Sequence, residues 1–224
     1  RKEIGGGVFC EELGRNLSAV NALFPAGVRA ICRESTNMEK ANALIPNLQV
    51  CRGALTDEEF LYAALADVDT LVHIAGIHWS VPIVNAAAKA GVRRLILVHT
   101  TGVYSKYKAA GAEYKKIDEH VYSVCVKNNI KLTICRPTMI YGRPCDNNMI
   151  TFIKMVDKLP FMPVVNGARY ELQPVNFKDL GKAYYQILVN EDKTVGHDYN
   201  LSGDKPILLR DIFTLLGREL GKKV

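Results

Sequence analysis

The sequence has a single tryptophan, Trp79, and five histidines, and it has no apolar run near the roughly 20 residues a membrane-spanning helix requires. No membrane partner is expected. No HxxxH or CxxC spacing occurs, so the His and Cys residues offer no metal set. Clusters of Lys and Arg interleaved with aromatics are missing, which argues against nucleic acid as a partner. The opening Arg1-Lys2-Glu3-Ile4-Gly5 has neither the apolar core nor the small-residue cleavage site of a signal peptide, so the expected location is the cytoplasm. Internal repeats and low-complexity tracts are lacking too.

What the sequence does have is the composition of a globular domain. Its 224 residues are 48% hydrophobic and 23% charged, enough for one α/β domain with a substantial core plus a small appendage. The six cysteines are scattered, and Cys32, Cys51 and Cys135 fall in expected strands, so reduced core thiols are the expectation. The net charge of +6 is spread along the chain and suits a phosphate-bearing ligand.

Apolar runs of strand length alternate with helical patterns up to about residue 142. Strands are expected over 27–32, 48–51, 70–74, 94–99 and 131–135, and helices over 12–23, 38–45, 57–65, 82–90 and 109–127. Thr56 before Asp57-Glu58-Glu59 reads as a capping box and Gly91 as a C-terminal stop. Such alternation implies right-handed βαβ crossovers and a doubly wound parallel sheet with helices on both faces. Beyond Gly142 the rhythm changes to helices over 151–159, 178–189 and 210–220, with a short strand at Asn200-Leu201-Ser202-Gly203. Residues 1–142 are therefore expected to form the main domain and 143–224 a small C-terminal α/β lobe. The run Arg136-Pro137-Thr138-Met139-Ile140-Tyr141-Gly142 follows a buried strand directly, which is where an open parallel sheet presents a ligand.

Five segments occur in a telling order: Val72-His73-Ile74-Ala75-Gly76, Val98-His99-Thr100-Thr101-Gly102-Val103-Tyr104, Arg136 to Gly142, Gln173-Pro174-Val175-Asn176-Phe177-Lys178-Asp179-Leu180, and Tyr199-Asn200-Leu201-Ser202-Gly203. Together they resemble the extended and atypical short-chain dehydrogenase/reductases, the group of sugar-nucleotide epimerases, dehydratases and NmrA-like proteins. The resemblance implies a Rossmann domain that binds NADP or NAD and a lobe that holds a small-molecule substrate such as a nucleotide sugar. It places Ala75, Gly76, Pro137 and Met139 against the cofactor, Ala54 and Leu55 near its adenine, and Thr100 beside its nicotinamide. Tyr141 and Arg169 fall to the substrate. A homodimer stays open as the assembly. Trp79 walls the cleft or caps the core, and His73 and His99 read as satisfied core residues.

Three departures from the family pattern matter. The family's GxxGxxG loop is represented only by Gly5-Gly6-Gly7, with the next glycine at Gly14, so the loop is either remodelled or short of residues; Gly5 to Gly7 otherwise form a plain flexible loop. Counting back from Gly14 puts Glu11 near the helix start, where its charge would repel a pyrophosphate. At the ribose, Arg33 favours NADP over NAD, with Glu34 beside it. The one YxxxK match is Tyr104 with Lys108, expected as the acid/base and the ribose-orienting residue, yet Tyr104 also closes the strand-end motif. A helix beginning near Ala109 would separate the two. Aligning through Tyr114-Lys115-Lys116 instead puts Gly111 or Ala112 at the Tyr position. The two functions these features allow are a nicotinamide-dependent oxidoreductase or epimerase/dehydratase, and a catalytically silent NADP(H)-binding regulator or assembly partner.

Overall fold

The computed structural model describes residues 4–105, 108–144, 146, 148–159 and 161–222. Two helices come first, α1 (Ile4–Arg15) and α2 (Leu17–Leu23). Strand and helix then alternate: β1 (Arg29–Cys32), α3 (Glu39–Leu44), β2 (Gln49–Arg52), α4 (Glu58–Ala64), β3 (Thr70–His73), α5 (Ser80–Ala90), β4 (Arg94–Val98), α6 (Lys108–Lys127) and β5 (Lys131–Pro137). After these follow β6 (Ile140–Tyr141), α7 (Met149–Lys158), β7 (Glu171–Leu172), β8 (Val175–Asn176), α8 (Phe177–Val189), α9 (Glu191–Thr194), β9 (Asp198–Leu201), β10 (Ile207–Leu208) and α10 (Leu209–Glu219).

The main sheet runs β3-β4-β5-β9, all parallel. Its centre reads as an unbroken apolar run because both faces are covered. Leu95 and Leu97 of β4, with Leu132 and Ile134 of β5, face α4, α5 and α6 through Leu61, Val84, Ala87 and Val121. Their neighbours Ile96, Val98 and Cys135 point the other way, toward α1 and α8 through Phe9, Leu13, Leu180 and Tyr184. Helix α5 buries Ile83, Val84, Ala86 and Ala87 and stops at Gly91, whose φ of 75° is the left-handed cap. Helix α4 is capped one residue later than the sequence pattern suggested, by Asp57 accepting from the Phe60 amide.

Strands β1 and β2 form a separate parallel pair. In a doubly wound sheet of order 3-2-1-4-5 these are the second and third strands, and the central strand lies between them and β3. Among the described residues no strand fills that place, so β1 and β3 each have one strand neighbour. The pair is held from outside: Arg29 donates to the carbonyls of Ala64 and Ala66 at the end of α4, at 2.9 and 2.8 Å. Val28 and Leu48 pack beside Val72 and Ile74 on the α1/α8 side.

The expected helix over 12–23 is two helices. At Asn16 the side chain donates to the Glu12 carbonyl, competing with the ladder, and the axis breaks there. Elements after Gly142 serve two places. Helix α8 packs on α1, and β9 extends the main sheet, whereas α7 and α10 close a small cluster of Val156, Ala168 and Phe213. The short strand anticipated at 200–203 is thus β9, and it belongs to the main sheet.

Candidate functional site

The carboxyl ends of β3, β4 and β5 lie side by side and each ends in a different device. Beyond β3, Gly76 has φ 102° and ψ 153°, a conformation that side chains rarely adopt, and the space where a Cβ would stand is open. His73 fixes this turn: its Nε2 lies 3.1 Å from the Gly76 carbonyl oxygen. Burial holds the imidazole's pKa down to about 4, so the ring is neutral and donates to that carbonyl.

Beyond β4, Thr100 Oγ1 accepts from the Gly102 amide at 3.0 Å and starts a short 3-10 turn, Thr101–Tyr104. The ring of Tyr114, from the first turns of α6, lies 2.8 Å from the position a Cβ on Gly102 would take, and Thr100 Oγ1 lies 3.3 Å from the same point. A side chain at 102 would push the two apart. Next to Tyr114, Glu113 meets His78 Nδ1 at 3.2 Å, and the His78 and Tyr114 rings are 5.6 Å apart. Trp79 is 39% exposed beside His78, so it does not cap the core. At the end of β5, Pro137 is buried, and just beyond it Thr138 donates its hydroxyl to the Gln173 carbonyl at 2.6 Å, while Met139 accepts from the Val175 amide.

Tyr104 and Lys108 do not share a helix. The 3-10 turn ends at Tyr104, Ser105 is extended with ψ 134°, and α6 starts at Lys108, so the i,i+4 face that would bring the two side chains together is not formed. Tyr104 is 60% exposed. Lys106, Tyr107 and the side chain of Lys108 lie outside the described residues.

The glycine-loop expectation is also corrected. Gly5, Gly6 and Gly7 form the start of α1, because Val8, Phe9 and Leu13 anchor that helix in the core and the ladder extends back through the glycines. Gly7 lies against the Arg143 guanidinium, 3.5 Å from its would-be Cβ. Arg143 stacks over Phe177 at 4.6 Å and reaches Glu11 at 3.6 Å. Glu11 is hydrogen-bonded by Lys40 at 2.5 Å, and Glu12 is paired with Arg15. The Lys40 bond, with Arg143 and Arg15 nearby, holds the Glu11 carboxyl below its ordinary range. The repulsion expected of that charge is largely neutralised.

Arg33 is exposed in the loop after β1. Local spacing did not single out Arg52, which sits opposite Cys32 in the strand register and donates to the carbonyls of Arg33, Glu34 and Thr36. It laces that loop onto β2. Ala54 is exposed and Leu55 half-buried just beyond. In the lobe, Tyr141 is half-buried on β6, and Arg169 is exposed after the turn Asn166–Ala168.

Behind the strand ends runs a polar chain that is buried from Ser80 to Arg136 and reaches the surface at Asp198 and Tyr122. Ser80 Oγ lies 2.9 Å from His99 Nε2, and His99 Nδ1 lies 2.6 Å from Asp118 Oδ1. Asp118 Oδ2 accepts from Arg136 at 2.7 Å, and Arg136 also pairs with Asp198, which accepts from the Tyr122 hydroxyl at 2.6 Å. Burial pushes the Asp118 carboxyl up, and the bonds from His99 and Arg136 outweigh it and bring it below the ordinary value. Burial and the bond to Asp198 push Tyr122 up to about 12. His99 is a satisfied core residue, as expected; that it is one link among five elements was not visible in sequence.

These strand ends fit a nicotinamide nucleotide. The open turn at Gly76 and the Thr100 hydroxyl stand at neighbouring strand ends, and Arg52 ties down the loop that carries Arg33. No curated protein matches the chain. Solved structures share its fold. A dTDP-glucose 4,6-dehydratase from Streptomyces venezuelae superposes with TM-score 0.73 at 18% identity, covering 98% of this chain and 80% of that one. A Citrobacter sp. triphenylmethane reductase complexed with NADP(H) gives TM-score 0.70 at 23% identity, over 100% of this chain and 74% of its own. An NADPH-dependent quinone oxidoreductase from Escherichia coli gives 0.71 at 18%, over 99% and 73%. The fold is the Rossmann fold expected from the strand and helix alternation. Residues 17–154, more than half the chain, match the NAD(P)H-binding family, and this chain belongs to it.

Proposed function

We propose that this chain is an NADP(H)-dependent oxidoreductase acting on a hydroxyl or carbonyl compound, with a nucleotide sugar as the first substrate class to test. The observation that carries it is the meeting of Thr100 and Tyr114 across Gly102, one strand away from the open turn at Gly76. A bound nicotinamide supplies or accepts the hydride. Thr100 holds the substrate oxygen, and a phenol moves the proton. Tyr104, exposed at the end of the 3-10 turn, is one source of that phenol, and Tyr114 is the other. Tyr141 and Arg169 line the substrate side from the lobe.

NADP is preferred to NAD because Arg33 is exposed in the loop beyond β1, which Arg52 ties down through its carbonyls, and a guanidinium there would neutralise a 2′-phosphate. The dehydratase neighbour acts on dTDP-glucose, and the other two neighbours are reductases of dyes and quinones. The test is NADPH oxidation with dTDP-4-keto-6-deoxyglucose and with menadione. Thr100→Ala should lower kcat about a hundredfold with NADPH affinity kept within a few-fold, and Tyr114→Phe and Tyr104→Phe identify the proton donor by which one does the same.

A second reading has its own observation. Tyr104 and Lys108 sit on separate helical segments, which favours a silent NADP(H)-binding regulator. Tight NADPH binding with no turnover of sugar or quinone, unchanged in all three variants, would select it.

A further inference from the structure

Ser80, His99 and Asp118 have the contacts of a nucleophile, a base and its orienting acid, yet Ser80 is fully buried at the first position of α5. No acyl group reaches it. The chain is also a poor stabiliser. It buries a guanidinium and a carboxylate, and Arg136 Nε has no hydrogen-bond partner, a combination in which desolvation offsets much of the attraction.

What the chain does join is specific. Ser80 lies four residues after Gly76, His99 directly precedes Thr100, and Arg136 directly precedes Pro137. Asp118 is one turn along α6 from Tyr114, and Asp198 brings in β9. Asp118, ionised and able only to accept, makes His99 Nδ1 the donor, and the Ser80 hydroxyl closes the other ring nitrogen. Three strand ends that face the cofactor are thereby locked to one another and to α6 by bonds that none of them shares with a ligand.

We infer that Ser80 and His99 are positioning residues, which set the affinity for the nicotinamide half of the cofactor through the Asp118–Arg136 pair without touching it. This rests on the cofactor reading above. The adenosine half, at Arg33 and Arg52, lies on the separate β1–β2 pair and is outside the network's reach.

The experiment compares NADPH with 2′,5′-ADP, which carries only the adenosine end, on the whole chain by fluorescence and calorimetry. Ser80→Ala and His99→Gln should each weaken NADPH about tenfold, the scale of coupling through a packed network, and leave 2′,5′-ADP binding unchanged. Thr133→Val removes a buried hydroxyl that donates to the Thr194 carbonyl at the other end of the sheet; it should lower Tm and change neither affinity. NADPH affinity unchanged in both network variants, or both ligands weakened alike, or Thr133→Val weakening NADPH equally, would overturn the inference. A wild-type chain that binds neither ligand would defeat the cofactor reading itself, and is told apart by the first titration.

Discussion

The two parts of the sheet differ in how they are held. In the β3-β4-β5-β9 sheet, every residue of β4 is buried, and core lies on both faces. In the β1–β2 pair no residue of either strand is buried, and Arg29 and Arg52 do much of the fastening through carbonyls of neighbouring loops. The first is built by the hydrophobic effect and the second by guanidinium bonds around a thin apolar contact. The consequence is a rigid edge at the main sheet and a more yielding one at the β1–β2 pair.

That contrast can be broken most easily in the core. Ile96→Ala, in β4 with no exposure, should cost about 3 to 4 kcal/mol in urea unfolding, and Ile31→Ala, half-buried in β1, about 1 kcal/mol. Equal losses would mean the pair is as well packed as the main sheet. A second test uses pH. Between 6.5 and about 4 the unfolded chain takes up a proton on His73 that the folded chain refuses, so stability should fall as pH drops through that window, by roughly 3 kcal/mol in all. Hydrogen bonds from Arg93 hold Asp69 and Glu191 near 2, below their unfolded values, so these two add to the fall only toward the acid end of the window and the His73 contribution is read in its upper part. His73→Gln should flatten the profile. The smallest effect belongs to the loop after β1: Arg52→Ala, which frees the loop carrying Arg33, should lower the preference for NADPH over NADH about tenfold, near 1.4 kcal/mol, with a small fall in Tm.

Much of the main sheet was legible in sequence because its strands are short apolar runs between helices of regular period. Leu95 to Val98 and Leu132 to Ile134 left no other reading. The α1 region was not legible. Three glycines forecast a loop, but burial of Val8, Phe9 and Leu13 outweighs a helix penalty of about 1 kcal/mol per glycine. Thr100, Gly76 and Pro137 were expected at strand ends, and the structure has them there. Tyr114, Arg52, Arg143 and the Ser80–His99–Asp118 chain were not, since each depends on a contact between distant segments that no local spacing encodes. The Tyr104/Lys108 interval suits a helical pair, but α6 begins only at Lys108, in line with the alternative helix start near Ala109.

The central claim is that a nicotinamide nucleotide lies across the carboxyl ends of β3, β4 and β5. Hydrogen exchange with and without saturating NADPH tests it directly. The account predicts new protection over 74–80 and 99–104, together with the loop at 33–36. Protection confined to 33–36, or none at the strand ends while NADPH is bound, would contradict it.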